Sequence, residues 1–590
     1  MRGIIKDTTG AVVPNASVTA VNTATNNDFK TTSGASTGEF TIPSLPGGNY
    51  RLRVESPGFK AFIQDGIALA AGGAVSLDVQ LQVGAATETV EVTSEVSQLQ
   101  TDTARVATQV STKFVDELPL AVNGGVRSPI DLANTTTDVQ GAAGNFRIGG
   151  GQRGLEGMTL DGATVSGSTD LSTQGQAAQN SPSIDSLAEF SVESGGFKAE
   201  TGHASGGSIS FVSKSGTNQF HGNIYEYVRN YDMDARGFFA TFKPILKQND
   251  FGFTAGAPLT IPKIYNGKSR TFWFFSYEGF RNRVGPSVTP LSVPAPEMYN
   301  GDFSHFVDGN NKLYTIYDPA TQTQNPATGA YTRTAFPGNI IPQARFDPVA
   351  AAIIKYASPL AVPNIPGLVP GTSAYLRQNY RIPSSSGTRA PVDKWSIKLD
   401  QVLLRQQHVA FYYGRGTSAS QVNPGGVGGL GLTNGLPGGL SGASEGSTYW
   451  RVYRLTHEFT ISPTVFNRVT GGKTVNVFNI AGVGYLKGSP MSFGLTPLNS
   501  VGWKTLGICI PNWPDCNVNF PQINFGDTFT SWGSQDTNTQ GSTNWELRND
   551  LTWVKGKHNF KFGAFYNNTI YNGGGSQNYS GNVSFSSTHT

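Results

Sequence analysis

The sequence predicts an all-β chain: a small N-terminal β-sandwich, a glycine-rich middle segment, and the first part of an antiparallel transmembrane β-barrel. Three observations carry this. Among 590 residues there are 72 Gly and 33 Pro, with 11% aromatic and only 14% charged residues, a composition suited to turn-rich β structure. Up to residue 83, short alternating apolar runs of about five to seven residues are cut by Gly and Pro. Beyond residue 218 the runs lengthen to about nine residues or more, enough for a tilted membrane strand, and their connections alternate between short and long.

Charge and hydropathy exclude several classes. A formal net charge of +3, with Lys and Arg scattered singly, gives no electrostatic footprint for nucleic acid. No run of 18 or more apolar residues exists, which excludes a helical membrane span and leaves a strand-built one open. The first residues already read as strand, turn, strand, without a basic n-region and apolar h-region. Either the protein is cytosolic or its export signal lies outside this sequence.

Residues 1–84 form the first unit. Val18 to Val21, Gly38 to Ile42 and Asn49 to Val54 are strands, and Val75, Leu77, Val79 and Leu81 face one way in the last. This spacing reads as a β-sandwich. The strings GIIKDTTGAVVPNASVTAVN, GEFTIPSLPGGNYRLRVESPGFKAF and GIALAAGGAVSLDVQLQVG resemble the carboxypeptidase regulatory-like domain, a non-catalytic sandwich. No metal-ligand spacing accompanies them, so no enzyme activity is expected of the chain and no cofactor is assigned.

Residues 85–217 are rich in small residues. Thr89 to Thr93 reads as a strand and Thr112 to Leu118 as a short helix stopped by Pro119. The strings VDELPLAVNGG (115–125), FRIGGGQRGLEGMTLDGATV (146–165) and SIDSLAEFSVESGGFKAETGHASGGSISFVSKSGTNQFHG (183–222) resemble the plug of TonB-dependent outer-membrane receptors. Gly206, Gly207, Ile209 and Lys214-Ser215-Gly216 fit the pattern that ends it. With YEYVRNYDMDARGFF and the first unit, the chain is most similar to Oar-like receptors. The resemblance implies a barrel of about 22 strands with a plugged lumen. It also implies a periplasmic energising protein of the TonB type, outer-membrane lipid as surroundings, and an extracellular ligand, whether siderophore, carbohydrate or peptide. The first unit and plug are then expected on the periplasmic side.

Two motifs are decoys. Gly149, Gly151 and Gly154 satisfy G-x-G-x-x-G, but Gly157 and Gly162 break the stretch where a phosphate-binding helix should begin. Gly442, Ser444 and Gly446 satisfy G-x-S-x-G within a glycine-rich tract that lacks the required strand before and helix after.

Residues 218–590 are read as about nine wall strands of a barrel. They include His221 to Asn230, Phe251 to Leu259 and Thr271 to Gly279, the pairs flanking Arg405 to Gln407 and the Ser462-Pro463 turn, and the pair flanking Lys555 to Lys557. Trp395, Asp400 and His408 recur as Trp545, Asp550 and His558, a hairpin repeat. The period-two pleat assigns Trp545, Leu547, Leu551, Trp553, Phe560, Phe562 and Tyr566 to lipid, and Glu546, Arg548, Asp550 and Lys561 to the lumen. An odd strand count implies an incomplete wall, with the first and ninth strands as unpaired edges.

The long loops are Arg281 to Pro391, with a helical stretch at Pro348 to Tyr356, Gly414 to Ser447, and Asn479 to Ser542. The last holds Cys509 and Cys516, read either as a surface disulfide of about 2–3 kcal/mol local worth or as free thiols. It also holds Trp503, Trp513 and Trp532, candidate ligand contacts or else anchors of a loop core. The expected function is ligand uptake through a plugged outer-membrane barrel. The alternative is a surface adhesion or structural protein without transport.

Overall fold

The computed structural model describes residues 1–43, 45–69, 73, 75–85, 89–93, 106–111, 127–133, 136, 138–142, 145–152, 156–165, 182–195, 206–238, 243, 245, 246–285, 290–369, 372–381, 388–404, 406–422, 436, 440, 444–482, 522–526, 528–533, 538–555, 558–575 and 582–585.

The N-terminal unit is a two-sheet sandwich. Three strands pair in the order Glu39–Thr41, Arg2–Asp7, Val79–Leu81, and five in the order Asp28–Thr32, Ser17–Asn22, Gly48–Glu55, Ala61–Leu69, Thr89–Thr93. Strict alternation makes the core: Tyr50, Leu52 and Val54 have no exposed surface, while Arg51, Arg53 and Glu55 between them face solvent. Ile5, Val18, Phe40 and Leu81 join them in one apolar cluster. Thr89–Thr93 pairs in parallel with Ala61–Leu69, so sheet membership runs past residue 84.

The middle segment contributes a five-stranded sheet in the order Ala163–Thr164, Gly157–Leu160, Ser208–Ser213, Leu187–Gly195, Val106–Ser111. The G-x-G-x-x-G stretch contains a turn, with Gly149 and Gly150 at φ +56 and +74, and Gly157–Leu160 after it is a strand. A side chain at Gly149 would overlap the carbonyl oxygens of Gly206 and Ser194, which explains the glycine by backbone approach. The short helix read at Thr112 to Leu118 lies outside the described residues. The apolar core of this unit, with Ile130, Leu160, Phe190 and Phe211, is completed by Tyr412, Trp450 and Val452 of the wall.

The wall is a nine-stranded antiparallel sheet. Its order follows the chain: His221–Asn230, Leu246–Pro258, Thr271–Val284, Thr388–Leu404, Gln407–Val422, Ser444–Ser462, Val465–Gly482, Asn538–Lys555, His558–Gly575. Among the described residues the first and ninth strands are its edges, as expected. Several strands run past the limits read from sequence, and Arg281 is in a strand rather than opening a loop. Ser444–Ser462 has 19 residues, twice the roughly 9–11 that cross a membrane. Past the hydrocarbon, outward positions no longer need to be apolar, so alternation fades while the hydrogen-bond ladder continues.

The faces divide as the pleat demands. Trp545, Leu547, Trp553, Phe560, Phe562 and Tyr566 are 37–61% exposed, whereas Glu546 is 7% exposed. Lys561 stands opposite Thr552 on the inner face, and Arg548 pairs with Asp550 at 2.8 Å. The hairpin repeat is a repeat of sequence but not of register. Val402 faces His408 across a bulged hairpin, whereas Lys555 faces His558. His408 therefore joins Asp400 at 3.3 Å, while the ring of His558 packs 5.9 Å from Phe560.

The long connections share two apolar clusters. Val293, Tyr299, Ala357 and Tyr380 from the third connection pack with Leu436 and Leu440 from the fifth and Ile523 and Trp532 from the seventh. Met298 and Leu376 gather Phe303, Phe306 and Phe529. The helix Pro348–Ala357 begins where Asp347 accepts hydrogen bonds from the Val349 and Ala350 amides, a normal N-cap.

Candidate functional site

The inner face of the wall alternates with its outward aromatic positions and carries most of the buried charge. Where the middle β unit meets that face, three polar latches form.

In the first, Asp250, Glu278 and Lys394 on three adjacent strands are 0–1% exposed, and Glu278 stands directly opposite Lys394. Arg127 reaches into this group from the middle segment. Its Nε donates to Asp250 at 3.0 Å and its Nη2 to Asp185 at 2.8 Å. The guanidinium lies 4.6 and 4.5 Å from the ring centroids of Tyr225 and Tyr227. Burial by itself depresses the Arg127 pKa, but Asp250, Asp185 and Glu278 outweigh it and hold the group well above its ordinary range, hence fully charged. Asn223 Nδ2 donates to the second Asp185 oxygen at 3.2 Å.

The second and third latches hold the tip of one hairpin. Leu160 pairs with Ala163 across Asp161-Gly162, both at positive φ, the two-residue turn that Asp-Gly favours. Asp161 accepts from the Ser213 amide at 3.0 Å and the Ser213 hydroxyl at 2.6 Å. Its carbonyl accepts from Arg468 Nη2 at 3.1 Å. Lys398 Nζ donates to the Ser213 carbonyl at 3.2 Å, and His408 sits 3.3 Å from both Asp400 and Glu458. At the far side of the hairpin, the Thr164 amide donates to Glu546 at 2.7 Å. The Thr164 carbonyl accepts from Arg454 Nη2 and from Thr474 Oγ1.

Buried pairs of this kind recover little net stability over apolar packing but strongly resist loss of one partner. They fix the strands of the middle unit against the wall in one orientation. Among the described residues no group of three His, Cys, Asp or Glu is arranged to hold a metal.

The residues singled out from sequence fall elsewhere. Cys509, Cys516, Trp503 and Trp513 lie outside the described residues. Trp532 is 3% exposed, its ring 4.8 Å from Phe525 and 6.4 Å from Tyr299. Its burial fits the loop-core alternative, because an indole so enclosed offers no face to a ligand in solution. Arg127, Asp185, Asp250, Glu278 and Arg454 were not marked from sequence. The Asp161-Gly162 turn and the charged alternation of Lys394, Lys398 and Asp400 were the available signals. Nothing local pointed to Arg127.

A sheet with apolar outward and charged inward positions, latched to a small internal β unit, defines the outer-membrane barrel class. Residues 212–590 match the family model described as outer membrane beta barrel domain, and the chain belongs to that family. Residues 1–82 match the carboxypeptidase regulatory-like domain. The chain is 27% identical over 254 residues to the TonB-dependent transporter Oar of Myxococcus xanthus, a match covering 40% of this chain and 22% of that relative. Among solved structures it is similar to the outer membrane transporter YddB of Escherichia coli, with TM-score 0.42, 10% identity, and coverage of 79% of this chain and 48% of that one. For the siderophore receptor PirA of Acinetobacter baumannii the values are 0.40, 11%, 79% and 48%. The chain thus spans about a fifth of the curated relative and about half of these solved chains.

Proposed function

We propose that the protein is a TonB-dependent outer-membrane receptor that transports a ligand through a plugged barrel. In this reading residues 1–84 are the regulatory-like sandwich, 85–217 the plug and 218–590 the N-terminal part of the wall. The observation that carries it is the latch set. A stranded unit is held to the inner wall by Arg127, the Asp161-Gly162 hairpin and Glu546, contacts suited to a part that stays docked until pulled. The Asn218 amide donates to the Ala24 carbonyl at 3.1 Å, which supports a sandwich at the short-turn rim. That rim is then periplasmic, within reach of a TonB-type protein, and the loop clusters are extracellular.

The test is uptake by cells expressing the full-length protein, with and without their TonB-type protein, using labelled siderophores, oligosaccharides and peptides. Accumulation of one class that disappears with the energising protein, while surface binding persists, is the expected result. Binding without energised uptake of any class would instead support the adhesion reading.

A further inference from the structure

We propose that the N-terminal sandwich is a second stopper, docked across the short-turn mouth of the wall so that the middle β unit cannot leave until the sandwich has lifted off. The inference rests on the reading that the middle unit is a displaceable plug.

The middle unit is tied to the wall by a tether, Lys214 to Asn218, that follows its strand Ser208–Ser213. Gly216 lies so close to the Trp273 and Ala257 carbonyl oxygens that a side chain there would overlap them. Asn218 is pinned to the turn between the second and third wall strands. Its Oδ1 accepts from the Ser269 amide at 2.7 Å and its Nδ2 donates to Ser269 Oγ at 3.2 Å. The sandwich lands on this tether, where the Asn218 amide donates to the Ala24 carbonyl at 3.1 Å. The landing turn is rigid: Asn22 Oδ1 accepts from the Ala24 and Thr25 amides at 3.0 and 3.1 Å, and the Asn22 carbonyl accepts from the Asn26 amide.

A second approach lies further round the mouth. Tyr50 pairs with Asn22 at the same end of the sandwich and has no exposed surface. Burial chiefly holds its phenol well above the ordinary range, and the Glu458 carboxylate of the wall raises it further, which places the two within electrostatic reach. Glu458 lies 3.3 Å from His408, in the latch around Asp161. The register ties the two landing points together. Glu458 stands opposite His408 and His408 opposite Val402, whose amide donates to the carbonyl of Arg270, next to Ser269. This rung runs from the third strand to the sixth, three spacings or roughly 14 Å. The sandwich meets both ends of it and so lies in the path of the middle unit toward the short-turn side. A neutral backbone hydrogen bond contributes little net stability, so this docking is readily reversed, unlike the buried charge latches beneath it.

The test uses full-length protein in detergent, with Cys509→Ser and Cys516→Ser, carrying Ala24→Cys and Asn218→Cys. A direct backbone hydrogen bond holds two Cα atoms roughly 5–6 Å apart, inside the span of a disulfide. Oxidation, or a short bis-methanethiosulfonate reagent, joins the pair reversibly. Linking is expected to slow hydrogen exchange of the Leu187–Gly195 and Ser208–Ser213 amides at least tenfold and reductant to restore it, while the Asn538–Lys555 amides do not change. The pair Thr25→Cys/Ser269→Cys, bridged by the same reagent, repeats the measurement without altering Asn218. Equal exchange in linked and reduced protein would overturn the stopper. Failure of both pairs to link in folded protein would do the same, because the contact itself would be missing. The transport reading is checked separately, by cellular uptake of labelled siderophores, oligosaccharides and peptides. If the wild type takes up none of them, that reading falls, whereas wild-type uptake that the link leaves unchanged removes the stopper alone.

Discussion

Replacing Arg127 by Met should loosen the middle β unit from the wall far more than the loss of one exposed side chain would. In the native protein the guanidinium meets two carboxylates at 2.8 and 3.0 Å, with Asp250 fully buried and Asp185 only 7% exposed. Two tyrosine rings cover it within 4.6 Å. A methionine preserves much of the volume but leaves both carboxylates buried, with Glu278 a third acid nearby and Lys394 the remaining basic neighbour. Removing one partner of such a group costs about 3–5 kcal/mol, which lowers the docked-to-undocked ratio by roughly 10² to 10³ or more. Hydrogen exchange on the Leu187–Gly195 and Ser208–Ser213 amides reads this directly, since both strands belong to the docked unit. Their protection should fall by that factor, while the Asn538–Lys555 amides keep theirs. The double variant Arg127→Met/Asp250→Asn should recover part of the loss, because it removes one stranded charge. A single variant whose protection drops less than about fivefold, or a double variant worse than the single, would refute the latch.

Three further outcomes follow from geometry. A Cβ on Gly216 would overlap the Trp273 and Ala257 carbonyl oxygens. Gly216→Ala should therefore cost about 1–3 kcal/mol, seen as a smaller folded fraction on unheated gels; an unchanged fraction would contradict the tight approach. Leu455 is outward and 55% exposed, so Leu455→Arg should destabilise the wall in lipid vesicles by about 2–4 kcal/mol in urea titration. In the third connection, Arg345 and the Ala320 amide hold the Asp318 carboxyl below its ordinary value. Because that pKa is depressed on folding, the bond's contribution is present above the ordinary carboxylate pKa of about 4 and lost as pH falls through the lowered value. Protease cleavage within 318–345 should rise on acidification in the wild type and depend less on pH in Arg345→Gln.

The sequence by itself determined the strands and their faces, because two physical constraints write them locally. The pleat makes successive side chains alternate, and lipid outside against polar contacts inside makes alternation visible, as at Trp545, Glu546 and Leu547. The sandwich core at Tyr50, Leu52 and Val54 was legible for the same reason. So were the edge positions of the first and ninth strands, since connections that are short at one rim force neighbours in the chain to be neighbours in the sheet. Only the tertiary structure decided what each inward charge meets. Asp250 lies 123 residues from Arg127, and no local pattern encodes a partner at that distance. Register mattered equally: one bulged hairpin turns His408 inward, while the like-spaced His558 packs against Phe560. For Trp532 the sequence left ligand contact and loop-core anchor both open, and only the meeting of three connections, which buries it, favoured the anchor. Periodicity is a property of consecutive residues, whereas ion pairs, register and loop cores depend on segments whose proximity the chain acquires only by folding.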